Sequence, residues 1–107
     1  MKLPAPVQAF FDADKDPHGA PPVDAFAPDA IVHDEAKTHA GRAAIATWFR
    51  QAKEENQHSS EPLDLSEDGG FTIVRAEVTG QFPSSPAILT FRFKLDDDQI
   101  KELEITV

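Results

Sequence analysis

The chain has 107 residues, 40% of them hydrophobic and 27% charged, which fits one folded domain and leaves no room for a second. Nineteen acidic residues against ten basic ones give a formal charge of −9, a surface that repels phosphate backbones and argues against nucleic-acid binding. Cysteine is absent, which excludes disulfides, thiolate metal sites and a cysteine nucleophile.

No apolar run approaches the ~20 residues of a membrane span. Met1 to Pro6 lacks the apolar stretch of a secretory signal, so a cytoplasmic protein with no membrane partner is expected. From Pro6 to Asp14, the positions Val7, Phe10, Phe11 and Asp14 recur at helical spacing, and Pro6 suits a first helical turn. Asp16-Pro17-His18-Gly19 breaks that helix. Pro21-Pro22 then opens a shorter predicted helix carrying Val23 and Phe26, which stops before Pro28.

Ala30 to Glu35 reads as a short strand, with Val32 and Asp34 on one side and Ile31, His33 and Glu35 on the other. Thr38 to Asn56 gives the clearest helical pattern. Ile45, Trp48, Phe49 and Ala52 share a stripe, while Arg42, Arg50, Lys53 and Glu54 fall largely off it.

From Glu61 the period changes from helical to alternating. Leu63 and Leu65 alternate with Asp64 and Ser66, and Asp68-Gly69-Gly70 marks a turn. Val74, Ala76, Val78, Gly80 and Phe82 share a face, and Gly80 invites a bend. After Pro83-Ser84-Ser85-Pro86, the residues Ala87, Leu89, Phe91, Phe93 and Leu95 alternate with Ile88, Thr90, Arg92 and Lys94. Asp96-Asp97-Asp98 turns into a last strand carrying Leu103, Ile105 and Val107. Helices followed by a run of hairpins predict an α+β domain, its N-terminal helices packed on a curved antiparallel meander.

Phe26-Ala27-Pro28-Asp29-Ala30-Ile31-Val32-His33-Asp34-Glu35, followed by Gly41-Arg42-Ala43-Ala44-Ile45-Ala46-Thr47-Trp48-Phe49, resembles the nuclear-transport-factor-2-like superfamily. Within it the chain is most similar to SnoaL-like polyketide cyclases and ketosteroid isomerases. Phe82-Pro83-Ser84-Ser85-Pro86 is also similar to a turn of some SnoaL-like proteins that rims the pocket or a dimer contact. The resemblance extends over essentially the whole chain and implies a cystatin-like cone of curved sheet around the long helix, enclosing one pocket. It places Val32 and Asp34 inside the cone, with Asp34 where ketosteroid isomerases carry their general-base aspartate. An apolar cavity makes a carboxylate more basic than water does, which suits removal of a proton from carbon.

The isomerases pair that base with a hydroxyl donor and a protonated carboxyl. Here Phe10 and Phe91 stand at those positions, and the chain has no tyrosine, so steroid isomerisation is not expected. Phe10, Val32, Trp48, Val74, Val78 and Phe91 are expected to line the pocket, the indole of Trp48 serving either as core or as a donor to Asp34. His33, Glu35 and His39 crowd near Asp34, but His33 and Glu35 should project away from it, so no metal site is expected. No phosphate loop, nucleophile elbow or nucleotide fingerprint appears, and no cofactor is expected. His18 and His58 read as solvated.

Two functions remain open. One is a cofactor-free isomerase, lyase or cyclase acting on a small apolar carbonyl compound with Asp34 as base. The other is a non-catalytic ligand-binding or dimerisation module. A second polar group on the inward strand faces would favour the enzyme, and Val74, Ala76, Val78, Leu89, Phe91 and Phe93 offer none. Phe71, Ile73, Ile88, Thr90 and Arg92 make a mixed outer face, through which a homodimer is expected.

Overall fold

The structure, a computed structural model describing residues 1–107, begins with helix α1 (Ala5–Asp14), whose stripe of Val7, Phe10, Phe11 and Asp14 is buried as its spacing predicts. The second helix expected from Pro21-Pro22 is a single 3-10 turn, Val23–Ala25, and Phe26 already belongs to strand β1 (Phe26–Asp34). A segment so short cannot recover the cost of nucleating an α-helix, whereas Phe26 in the strand pairs with Ile100 and is fully buried.

The long helix also starts later than its pattern implies. Lys37–Ala40 forms strand β2, paired antiparallel with β1, and helix α2 spans Arg42–Asn56. The β1–β2 turn places Glu35 and Ala36 in the left-handed region, at φ 52° and 63°. Such two-residue turns usually carry Asn-Gly, so nothing in Glu-Ala announced the hairpin. Gly41 then caps α2 at φ +86°, its N–H donating to the Ala30 carbonyl at 2.8 Å. Arg42 donates through Nε and Nη2 to the Phe26 carbonyl at 2.9 and 2.7 Å. The Gly-Arg pair therefore anchors the start of α2 to β1.

The meander follows as β3 (Ser59–Asp68), β4 (Phe71–Thr79), β5 (Ala87–Asp96) and β6 (Gln99–Thr106). Six strands lie in the order β2-β1-β6-β5-β4-β3, curved and unclosed, with the helices packed on one side in the expected α+β cone. The sheet is mixed rather than wholly antiparallel, because β6 returns beside β1 in parallel. The intervening α2 and four strands supply the long crossover that parallel neighbours require.

Leu63 and Leu65, expected on one face, are separated by a bulge between Pro62 and Asp64. The extra residue flips the alternation, so Leu63 is 48% exposed while Leu65 packs against the core.

Phe10 is the hub of that core. Its ring meets Phe11, Phe26, Phe49, Phe91 and Phe93 at centroid distances of 5.2 to 6.3 Å, mostly edge-on, the arrangement that aromatic quadrupoles favour. Val74, Ala76 and Val78 of β4 face it from the sheet. Gly80 lies just past the end of β4 rather than inside it, and a Cβ there would meet the Asn56 carbonyl oxygen at 2.7 Å and the His58 Cα at 2.9 Å. Only glycine lets this turn approach the end of α2 so closely. On the outer face the Arg92 guanidinium lies 4.4 Å above the Phe71 ring and bonds Glu104 at 3.2 Å, and Ile88, farther along the same strand, is half-exposed.

Phe93 is fully buried and its neighbour Lys94 is exposed. Phe93→Ala should cost about 3–5 kcal/mol in chemical denaturation, the usual range for a large buried aromatic. Lys94→Ala should leave the midpoint essentially unchanged. Equal effects would contradict this strand register.

Candidate active site

A cavity of about 630 Å³ opens between α1, α2 and the inner face of β4 and β5. Its size lies within the ~300–1,000 Å³ of small-molecule sites. Phe10, Phe49, Val78, Leu89, Phe91 and Ile105 make its walls largely apolar. Exposed Glu35, Ala36, Pro83, Ser84 and Val107 form the rim.

One wall carries Asp34, at the end of β1 and on the same face as the buried Val32. Trp48, on the inward stripe of α2, donates its indole N–H to Asp34 Oδ2 at 3.0 Å. One carboxylate oxygen is thereby fixed, while Oδ1 makes no hydrogen bond to the protein and is not sealed from solvent.

A second polar cluster lies deeper, where α1 and α2 both end. Asp14, the last residue of α1, is 3% exposed and lines the cavity with His58 and Ser60. Its Oδ1 lies 3.0 Å from both Lys53 Nζ and His58 Nε2, and its Oδ2 accepts the Ser60 hydroxyl at 2.5 Å. Lys53 Nζ also donates to the backbone carbonyls of Asp14 and His58, at 2.8 Å each, so all three of its protons are used.

Burial pushes the Asp14 carboxyl up. The His58 hydrogen bond, the charges of Lys53 and His58 and the Ser60 hydroxyl outweigh it and hold Asp14 below the ordinary aspartate range. Burial pushes Lys53 down, against the pull of Asp14. An ionised carboxylate only accepts hydrogen bonds, so His58 donates from Nε2. Its Nδ1 has no protein partner and is not sealed from solvent.

The sequence profile of the SnoaL-like domain family matches residues 7–103. The chain belongs to the SnoaL-like family. A candidate polyketide cyclase from Sinorhizobium meliloti is 42% identical over 97% of this chain and 95% of its own, with a TM-score of 0.88. A protein of ketosteroid-isomerase-like fold from Catenulispora acidiphila, solved in complex with trimethylamine, shares 17% identity over 99% of this chain and 87% of its own, at a TM-score of 0.81. A cystatin-fold protein from Novosphingobium aromaticivorans shares 18% over 100% and 99%, at 0.75. The last two likenesses show the fold alone. None of the curated proteins matches.

Within this SnoaL-like cavity the structure brings together Asp34, Phe10, Trp48, Val78 and Phe91 of the residues expected there. Val32 and Val74 are sealed in the core and do not line the cavity. Phe10 and Phe91 place apolar rings on its wall. Glu35, expected to project away on the strand, is a turn residue at the rim. His33 faces outward, near Thr38 and Glu102, while His39 packs 6.0 Å from the Trp48 ring.

Two further expectations are overturned. His58 is not solvated but bound to Asp14, and Lys53 is not off the buried stripe but 5% exposed within it. Asp14 and Ser60 went unrecognised as cavity residues. The available signal was an acid and a base, Asp14 and Lys53, each standing on the apolar stripe of its helix.

Because Asp14 titrates lower folded than unfolded, its stabilisation is complete above the unfolded value of about 3.9 and disappears as pH falls through the lower folded one. Asp14→Asn should lose this acid-dependent component. It should also lower stability at pH 7 by about 3–5 kcal/mol, because Lys53 is left buried without its counter-charge. Urea titrations of both proteins between pH 3 and 7 measure both effects, and parallel curves would contradict them.

Proposed function

We propose that the protein is a SnoaL-like enzyme working without a cofactor, an isomerase, lyase or cyclase of a small apolar carbonyl compound, with Asp34 as general base. The observation that carries this reading is the 3.0 Å bond from Trp48 to Asp34 at the wall of a largely apolar cavity. The indole orients the carboxylate and leaves Oδ1 for substrate. A proton on carbon beside a carbonyl then has an acceptor in surroundings that bind the rest of the molecule by burial. The polar cluster around Asp14 adds what the inward strand faces lacked, a second set of polar groups in the same cavity.

The test uses 2-tetralone as an enolisable probe and follows exchange of its α-protons in D₂O by NMR. Asp34→Asn should reduce exchange by ~10²–10⁴-fold, the usual contribution of a general base. Trp48→Phe, which keeps the ring and loses the donor, should reduce it less. Exchange by Asp34→Asn at the parental rate would sink the assignment.

The alternative reading, a ligand-binding or dimerisation module, draws on the outer sheet face. Ile88 is 53% exposed there, on the same strand as Arg92, whose guanidinium stacks on Phe71. We propose a homodimer through this face in either case. Light scattering at micromolar concentration should give twice the chain mass, and a monomeric mass would refute it.

A further inference from the structure

Enolisation needs a partner for the oxygen as well as a base for the carbon. Negative charge developing on a carbonyl oxygen costs most in an apolar cavity, and a preorganised donor there is usually the largest single contribution to rate. At the two positions where the family resemblance would put the isomerase donors stand Phe10 and Phe91, which can donate nothing. The structure provides one ring in the cavity with an uncommitted nitrogen, and that ring is His58.

Its surroundings are built rather than incidental. Asp14 from α1 receives Nε2, Lys53 from α2 holds both the Asp14 carboxylate and the His58 carbonyl, and Ser60 from β3 fixes the other Asp14 oxygen. Gly80 lies so close to His58 that an added Cβ would stand 2.9 Å from both its Cα and its Cβ. Asp14 thus holds the ring itself, while Lys53 and the Gly80 turn hold the His58 backbone. A carboxylate on Nε2 orients the ring, and in the protonated ring the N–H that the protein leaves unpaired is the one at Nδ1.

We infer that His58, positioned by Asp14, is the oxygen-directed catalytic residue of this cavity: its Nδ1 donates to, and recovers a proton from, the substrate's carbonyl oxygen while Asp34 acts on carbon. This rests on the reading of Asp34 as base. Asp34 takes a proton from the carbon beside the carbonyl, and the C–H electron pair becomes the C=C bond. The C=O π pair moves to oxygen, which takes the Nδ1 proton of the His58 imidazolium. The enol then returns its O–H proton to Nδ1 as Asp34 delivers its proton to carbon. Both side chains end as they began, and no co-reactant is consumed. The substrate class narrows to carbonyl compounds with an enolisable carbon and an otherwise apolar frame.

The oxygen-directed half is tested separately with 4-nitrophenolate, an aromatic oxyanion that cannot enolise. In ¹⁵N-histidine-labelled parent protein, 4-nitrophenolate should move the His58 Nδ1 resonance and leave those of His18 and His33 in place. His58→Gln, verified as folded by its melting curve, should bind 4-nitrophenolate at least tenfold more weakly. It should also exchange 2-tetralone protons ~10²–10³-fold more slowly, the usual cost of losing an oxyanion donor. Asp34→Asn should lose exchange yet keep 4-nitrophenolate binding. An Asp34→Asn variant that still exchanges overturns the base, whereas the 4-nitrophenolate results stand on their own. An unmoved His58 resonance, or a folded His58→Gln that binds and exchanges like the parent, overturns the role of His58.

Discussion

The carboxylate of Asp14 is the interaction on which the arrangement of this cone depends. It ends α1, and its partners come from α2, from the link after α2 and from the first residues of β3. A buried carboxylate is tolerable only when its charge and lone pairs are met. Lys53 meets the charge, while His58 and Ser60 meet the remaining acceptor sites. The contacts that satisfy Asp14 therefore also tie the ends of both helices to the start of the meander.

Around that polar centre the remaining forces are ordinary packing. The phenylalanine cluster at Phe10 joins α1 and α2 to β5, and the same rings continue into the cavity wall. Core and cavity are one apolar surface, filled on one side and empty on the other. Polar groups enter the empty side at two places, through the Asp34–Trp48 pair near the rim and the Asp14 cluster near the floor.

The residues that carry the family likeness divide between scaffold and site. Gly41 and Arg42 bind backbone carbonyls of β1 and hold α2 against the sheet. Asp34 and Trp48 meet inside the cavity because that clamp sets the helix on the strand. The motif is thus strongly tied to the fold and only loosely to any one reaction, and the same cone occurs at 17% identity in a protein of ketosteroid-isomerase-like fold.

The local pattern of the chain by itself determined a great deal. Helical spacing marked α1 and most of α2, strict alternation marked β4 and β5, and Gly69-Gly70 and Asp97-Asp98 marked the turns. These were legible because side-chain burial repeats with the period of the backbone. The same periodicity, joined to the family likeness, put Asp34 and Val32 on one inward face. The β1–β2 hairpin stayed hidden because Glu35 and Ala36 adopt left-handed backbone without the residues that usually signal it. The bulge at Leu63 stayed hidden because an extra residue is visible only against a paired strand. His58 and Ser60 were unreadable for a deeper reason. Neither has a local pattern, and each acquires its role from Asp14, 44 and 46 residues earlier in the chain. Only the closing of α1 over the end of α2 brings that carboxylate to them. Which polar groups share the cavity was therefore decided by tertiary structure, since it depends on long-range contact rather than on local period.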